Sequence, residues 1–398
     1  MNGAGNFSDL IIGDPNYAVD VVDRLIPLAW DLGASDVHLQ PRRDGWEVLL
    51  RVDGVLSQID WVAGGSHSDP VTRLMVIAGL PTYRDTQPME GRLKWSSSNT
   101  GKDDVAMRLG VFPTVHGPRA VIRLLRKDNA FDRIESLGMS PDITQTLVDL
   151  TRQTDGAILL SGPAGSGKTT TLYAMLRRIA ASVPRRSVLT IEDPVESVIG
   201  TISQSELDPS SGMTLASALR SAVRQDSEAL LVSEIRDPET AEAAMQASLT
   251  GHLVFSSLHA SDVAASMRRL VQFGVPPFAV RSGVRAIVSQ RLLRRLCSKC
   301  GGDCGRDAED AADQGQASCQ ECLGTGYRGR VVVADCVRFD GGDEIGEVLA
   351  ESLESGASVL RMRSDAKQVG ANDLRTQALR LVDEGITDNA EVYRVLGG

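Results

Sequence analysis

The period of the hydrophobic positions changes twice along this chain. Between Tyr17 and Leu32 apolar residues recur at helical spacing (Val21, Leu25, Leu28, Ala29). They then alternate over Trp46 to Val52 and Val55 to Trp61, two runs joined by Asp53-Gly54. Asp-Gly between alternating runs predicts a hairpin, because its turn needs left-handed backbone that Gly and Asp tolerate. Val105 to Val111 and Arg119 to Leu125 predict a second strand pair around Pro113 to Pro118. A helix with paired strands makes residues 16–125 an α+β domain, with a tail at 1–15 and a charged linker at 126–136. From Pro141 the pattern becomes short buried runs separated by helical stretches: Ala157 to Leu160, Ser187 to Ile191, Ala229 to Val232 and Leu253 to Ser256. That alternation predicts an α/β fold over 137–296, its parallel sheet covered by helices on both faces. Leu374, Ala378, Leu381 and Val382 keep helical spacing within Ser358 to Leu396, so 331–398 reads as a C-terminal helical subdomain.

Composition narrows the class. The 398 residues are 42% hydrophobic and 24% charged, enough for two or three cores and too mixed for disorder. A net charge of −10 argues against a nucleic-acid partner, whose binding grows from clustered Lys and Arg. No apolar run approaches the ~20 residues of a membrane span, and Met1 to Ile12 has no signal-peptide pattern. A cytoplasmic chain is expected. All four tryptophans (Trp30, Trp46, Trp61, Trp95) lie in the first quarter and all six cysteines between 297 and 336, which marks at least three parts.

The cysteines carry the first chemical signal. Cys297-Ser-Lys-Cys300 and Cys319-Gln-Glu-Cys322 give the C-x₂-C…C-x₂-C frame of a four-thiolate Zn²⁺ site, closed and therefore structural, within 297–330. Cys304 could replace a neighbour in that frame, and Cys336, after the apolar Val331 to Ala334, reads as a buried free thiol.

The second signal is a nucleotide site. Gly162-Pro163-Ala164-Gly165-Ser166-Gly167-Lys168-Thr169 fits G-x-x-x-x-G-K-[ST] between a predicted strand and a predicted helix, Thr169 to Ile179. Glycines let backbone N–H groups converge on phosphates, the helix directs its positive end at them, Lys168 adds charge, and Thr169 offers Mg²⁺ an oxygen. Thr170 follows in the first turn. Acids stand after the next strands, where an open α/β sheet places its ligand site: Glu192-Asp193-Pro194-Val195-Glu196 and Ser233-Glu234-Ile235-Arg236-Asp237. Glu234 is the candidate for orienting the attacking water, with Glu192 and Glu196 the next carboxylates and Asp193 beside the nucleotide. His252 and His259 bracket one short strand of this sheet, which points to a γ-phosphate sensor.

In order and spacing, Leu159 to Ala174, Thr190 to Glu196, Leu230 to Asp237 and Thr250 to His259 resemble the type II secretion and type IV pilus assembly ATPases. Leu219 to Asp226, Ala241 to His252 and Gln290 to Cys297 share the resemblance, which runs from about Ala34 almost to the C-terminus. It implies a RecA-like phosphate-loop ATPase core preceded by a small α+β, PAS-like capping domain. It also implies ATP and Mg²⁺ as ligands, a homohexamer, and peripheral membrane association through a polytopic inner-membrane platform protein. Ser35 to Pro41, Leu50 to Gly54, Glu90 to Arg92, Met107 to Leu109 and Phe112 to Gly117 look like the capping domain, whose arginines reach the nucleotide phosphates in this family. By position these are Arg108 and Arg123, with Arg92 a further candidate. A guanidinium bridges phosphate oxygens in a bidentate way, so domain closure would neutralise the transferring group. The zinc frame favours assembly over a pilus retraction motor.

Three positions depart from the family pattern: Ser233 stands where Gly is usual, Leu49 where Arg is frequent and Gln40 where Glu is frequent. Ser233 keeps a third reading open, a nucleotide-binding scaffold with little turnover, if that position needs glycine's backbone. The chain reads as a short family member, without the docking module that larger members place before the capping domain.

Overall fold

A computed structural model describes residues 7–64, 69–83, 87–95, 105–125, 129–306, 319, 321–322 and 324–397. The chain forms two compact units, Met1–Lys127 with Cys297–Gly329, and Asp128–Leu296 with Arg330–Gly398.

The first unit opens with α1 (Tyr17–Asp31), which buries Val21, Val22, Leu25, Ile26 and Ala29 along one stripe. Strands β1 (Asp36–Arg42), β2 (Gly45–Val52) and β3 (Val55–Ala63) follow, then α2 (Pro70–Ile77), β4 (Met89–Trp95), β5 (Val105–Thr114) and β6 (Gly117–Leu124). Asp69 caps α2 by accepting from Val71 N at 2.8 Å, and Pro70 supplies the preset first turn. The six strands form one sheet in the order β3-β2-β1-β6-β5-β4. The hairpin expected at Asp53-Gly54 is present, with φ of +48° and +84° at its two central residues. Strand β4 carries no strong apolar alternation, and the sequence reading did not foresee it.

The second unit alternates helix and strand: α3 (Pro141–Leu150), β7 (Gly156–Ser161), α4 (Lys168–Ala180), β8 (Val188–Glu192), β9 (Ser203–Glu206), α5 (Leu215–Ala222), β10 (Ala229–Val232), α6 (Pro238–Leu249), β11 (Leu253–Leu258), α7 (Val263–Gln272), α8 (Pro277–Gly283) and β12 (Val284–Leu296). A short turn of helix, α9 (Asp303–Arg306), lies in the cysteine segment; then come β13 (Tyr327–Arg338) and α10 to α13 (Glu344–Glu354, Val359–Gln368, Leu374–Asp383, Asn389–Leu396). The sheet order is β13-β12-β7-β11-β10-β8-β9. The pairs from β12 through β9 are parallel; the buried apolar runs predicted this for β7, β11, β10 and β8, whereas β12 and β9 were not foreseen. Successive residues of these strands feed two cores. Leu159, Leu230, Val254 and Ile287 pack with α5 to α8, whereas Ile158, Leu160, Leu231 and Phe255 pack with α3 and α4. The stretch 331–338, taken as the start of the helical subdomain, is instead sheet, because alternate residues of β13 (Val331, Val333) pack on Leu293 of β12. The helical part begins at α10. No helix of the described residues is long and apolar enough to cross a membrane.

Candidate functional site

The parallel strands β7, β11, β10 and β8 all end at one edge of the sheet, and the loop from Gly162 to Gly167 turns there from β7 into α4. Two of its glycines are required by space. A Cβ on Gly162 would stand 2.5 Å from Ser166 Oγ and 2.6 Å from Gln290 O, and one on Gly167, whose φ is +87°, 3.0 Å from Gln290 Nε2. Pro163, Ala164 and Gly165 form the exposed crest, Thr169 is half-buried and Thr170 exposed. Lys168 is buried, and its ammonium donates to Gly162 O at 2.8 Å and Pro163 O at 3.0 Å. Burial holds the Lys168 ammonium below the ordinary lysine range and Arg291 adds to this, while Glu234 and Glu196 oppose it. Both acids therefore act on the lysine electrostatically.

Glu234, just past β10, is buried; one carboxylate oxygen meets His259 Nε2 at 2.8 Å and the other accepts from Arg236 Nε at 2.9 Å. His259 Nδ1 lies 3.2 Å from Gly162 O. Both neighbours of this ring are oxygens, so the imidazole links the Glu234 carboxylate to the first glycine of the loop. Ser233 donates its N–H to Ile191 O and accepts from Ser257 Oγ at 2.9 Å. Among described residues only Asp53 and Asp226 have positive φ without being glycine, so the backbone at Ser233 is one any residue adopts. Asp237 caps α6 through Thr240 N at 2.8 Å.

Two expected residues fall outside this cluster. Glu192 is buried and accepts from Thr190 Oγ1 at 2.6 Å, Gln204 Nε2 at 3.0 Å and the Tyr173 hydroxyl, so three of its roughly four acceptor sites are used in joining α4, β8 and β9. A carboxylate held in this way is less suited to a water-activating role than Glu234. His252 precedes β11, whose first residue pairs with Gly156 while its last pairs with Ser161. At ~3.3 Å per residue this puts His252 about 20 Å from the loop edge, at the other end of the sheet. Asp193 and Glu196 lie exposed on the segment after β8.

Sequence reasoning missed β12 as part of the site. Gln290, 1% exposed, donates Nε2 to Ser166 O at 2.7 Å and accepts from Thr171 Oγ1 at 3.0 Å. Buried Arg291 bonds Gln290 O at 2.8 Å and Ser261 O at 2.7 Å. The arginine-rich sequence of this strand hid both residues, and the burial of Gln290 is visible only in the fold.

In the first unit the arginine candidates share one row. Cross-strand pairs run Arg51↔Asp36, Asp36↔Arg123, Arg123↔Arg108 and Arg108↔Arg92, so β2, β1, β6, β5 and β4 each place one of these side chains on the same face. Asp36 is buried and bonds Arg123 Nε at 3.0 Å with Arg51 Nε at 3.6 Å, and Glu90 pairs with Arg108. Directly opposed like charges are destabilising in a sheet. Arg51, Arg92, Arg108 and Arg123 thus line one face of this sheet.

The cysteine frame also closes. The four sulfurs of Cys297, Cys300, Cys319 and Cys322 lie within 4.8 Å of one another, with Cys297···Cys319 at 3.9 Å and Cys300···Cys322 at 3.7 Å. A tetrahedron with metal–sulfur bonds of ~2.3 Å has edges of about 3.8 Å, so the set fits zinc. Cys304 is not one of the four. In the same unit Gly329 N–H, just beyond the frame, donates to Asp53 at 2.7 Å. Cys336, on β13, is half-buried, and burial pushes its thiol up to about 12.

A glycine-rich loop thus joins a parallel strand to a helix with a carboxylate–histidine pair beside it, and the first unit holds a four-cysteine frame. The family described as Type II/IV secretion system protein matches residues 14–394, and the chain belongs to it. Among curated relatives, the type II secretion system protein HxcR of Pseudomonas aeruginosa is 37% identical over 377 residues, 95% of this chain and 77% of that protein. The type IV pilus assembly ATPase PilB of Thermus thermophilus is 36% identical over 392 residues, 95% of this chain but 43% of that longer protein. Among solved structures, the ATPase DotB of Legionella pneumophila shares the fold, with a TM-score of 0.70 at 23% identity over 95% of this chain and 96% of that one.

Proposed function

We propose that this chain is a Mg²⁺-dependent ATPase that powers assembly of a type IV pilus or of the pseudopilus of type II secretion. It would act as a cytoplasmic homohexamer on a polytopic inner-membrane platform protein. The observation that carries the ATPase reading is the coupling of Glu234 through His259 to the phosphate loop, next to a lysine held by that loop's own carbonyls. Gly162 to Thr170 bind the phosphates, and Thr169 holds Mg²⁺, an oxygen-seeking cation that neutralises phosphate charge when bound. Glu234 accepts a proton from, or orients, the attacking water; His259 fixes that carboxylate. Arg108, Arg123 and Arg92 meet the phosphates when the capping unit closes. Zn²⁺ on Cys297, Cys300, Cys319 and Cys322 orders its segment. The relatives named for pilus assembly and secretion, together with the cysteine frame, support assembly over retraction.

The test is ATP turnover of the purified full chain, with and without a candidate platform protein. Lys168→Ala abolishes or strongly weakens nucleotide binding, while Glu234→Gln keeps binding and lowers turnover by about a hundredfold or more. Glu234→Gln hydrolysing at the wild-type rate refutes the assignment and leaves Glu196 as the next carboxylate to test. A wild-type chain that binds ATP without turnover, alone and with the platform protein, establishes the scaffold reading instead.

A further inference from the structure

Strand β12 does more than extend the sheet. It runs parallel to β7, with Ser289 opposite Ser161, so Gln290 lies where β7 gives way to the phosphate loop. The Gln290 amide has one orientation open to it. Ser166 O can only accept, so it takes Nε2 at 2.7 Å, and Oε1 then faces the Thr171 hydroxyl, which donates at 3.0 Å. Thr171 belongs to the first turn of α4 and is as buried as Gln290. One side chain thereby ties the loop to the helix that follows it.

The consequence lies in the peptide plane. In a trans peptide the carbonyl and the next N–H point in opposite directions. With Ser166 C=O drawn towards β12, the N–H of Gly167 points away from β12, into the concave side of the loop where an anion would sit. The close approach of Gln290 Nε2 to the Cα of Gly167, where a Cβ would stand 3.0 Å away, is part of the same contact. We propose that Gln290 is a positioning residue for the phosphates of a nucleoside di- or triphosphate: it sets the Ser166–Gly167 peptide so that Gly167 N–H is a fixed donor before the nucleotide arrives. Thr171 acts through it by holding the amide in register. The inference rests on the nucleotide reading of this loop.

ADP affinity of the full chain, measured by calorimetry, tests it alongside the melting temperature without nucleotide. Gln290→Met keeps the volume and removes both hydrogen bonds; Thr171→Val removes one and Thr171→Ser retains it. Gln290→Met and Thr171→Val each weaken ADP by about tenfold, and the double variant is no weaker than Gln290→Met alone. Thr171→Ser binds ADP within about twofold of wild type. In ATP turnover the loss falls on KM, with kcat at saturation within about threefold of wild type, because the donor is set equally in ground and transition states. Unchanged ADP affinity in Gln290→Met with a lowered melting temperature reduces the residue to packing and overturns the proposal. If Gln290→Met does not fold, unchanged ADP affinity in Thr171→Val does so. A wild-type chain that binds no ADP overturns the nucleotide reading itself and the proposal with it.

Discussion

Glu391 anchors the last helix to the strand that carries Gln290, and its removal has a calculable cost. Its carboxylate is wholly buried and accepts from Arg294 N at 2.9 Å, Arg294 Nε at 2.9 Å, Arg394 Nε at 2.7 Å and Arg394 Nη2 at 2.5 Å. Glu391→Gln keeps the shape and removes the counter-charge that both guanidiniums share. Breaking a buried pair costs ~3–5 kcal/mol, and the share of the exposed Arg394 is screened, so about 3 kcal/mol is expected. That energy raises local opening of α13 by about a hundredfold, which amide hydrogen exchange reads directly. The same loss should reach Leu296, whose N–H donates to Ile386 O at 2.8 Å across this seam. The pH sense follows from the same contacts. Burial pushes the Glu391 carboxyl up, but its hydrogen bonds to Arg394 and Arg294 outweigh that and hold it below the ordinary glutamate value of 4.5. The unfolded chain thus takes up this proton first as pH falls. The anchor's contribution is full above 4.5 and is lost as pH drops through the lowered folded value. Equal exchange of α13 amides in wild type and Glu391→Gln at neutral pH would refute the reasoning.

Three further outcomes are checkable. Arg108→Ala and Arg123→Ala lower ATP turnover more than ATP affinity, because the charge they meet develops in transfer; an isolated second unit turning over as fast as the full chain would contradict this. Ser233→Gly changes turnover by no more than about twofold, since the serine backbone already has an ordinary conformation; a large gain would show that its side chain crowds the site. Metal analysis of reduced protein gives about one zinc per chain with sulfur alone in the first shell, retained in Cys304→Ser and lost in Cys319→Ser. Zinc removal loosens the cysteine segment first and leaves ADP binding intact, whereas a zinc content near zero in freshly purified protein would remove the site.

How much of this was legible in the sequence depends on whether a feature is local. β7, β8, β10 and β11 are apolar runs buried on both faces, so each declares itself. β12 contains Arg285, Arg291, Arg294 and Arg295, and its charges only make sense beside Asp155, Ser261 and Glu391, which are far away in the chain. β9, Ser-Gln-Ser-Glu, has no apolar residue at all and exists as a strand because β8 offers it an edge. The four-cysteine frame was legible because C-x₂-C fixes two ligands at once, although the partner sulfur of Cys297 proves to be Cys319 across the 18-residue connector as much as Cys300 beside it.

Direction along a strand explains the histidines. In a parallel sheet the residue before a strand and the residue after it stand at opposite edges, so His252 and His259 bracket β11 in sequence and are separated by its length in space. Only the one after the strand shares the edge with the loop, and the same rule selects Glu234 after β10. It also selects Glu192 at the end of β8, and there burial decides: Tyr173, Thr190 and Gln204 occupy three of its acceptor sites. The arginines obey a different logic. Arg92, Arg108 and Arg123 are 16 and 15 residues apart, intervals with no meaning until strand register lays them side by side. The glycine-rich loop is thus written in eight consecutive residues, but the side chains that hydrogen-bond its carbonyls, Gln290 from β12 and His259 just past β11, are supplied by strands that arrive later in the chain.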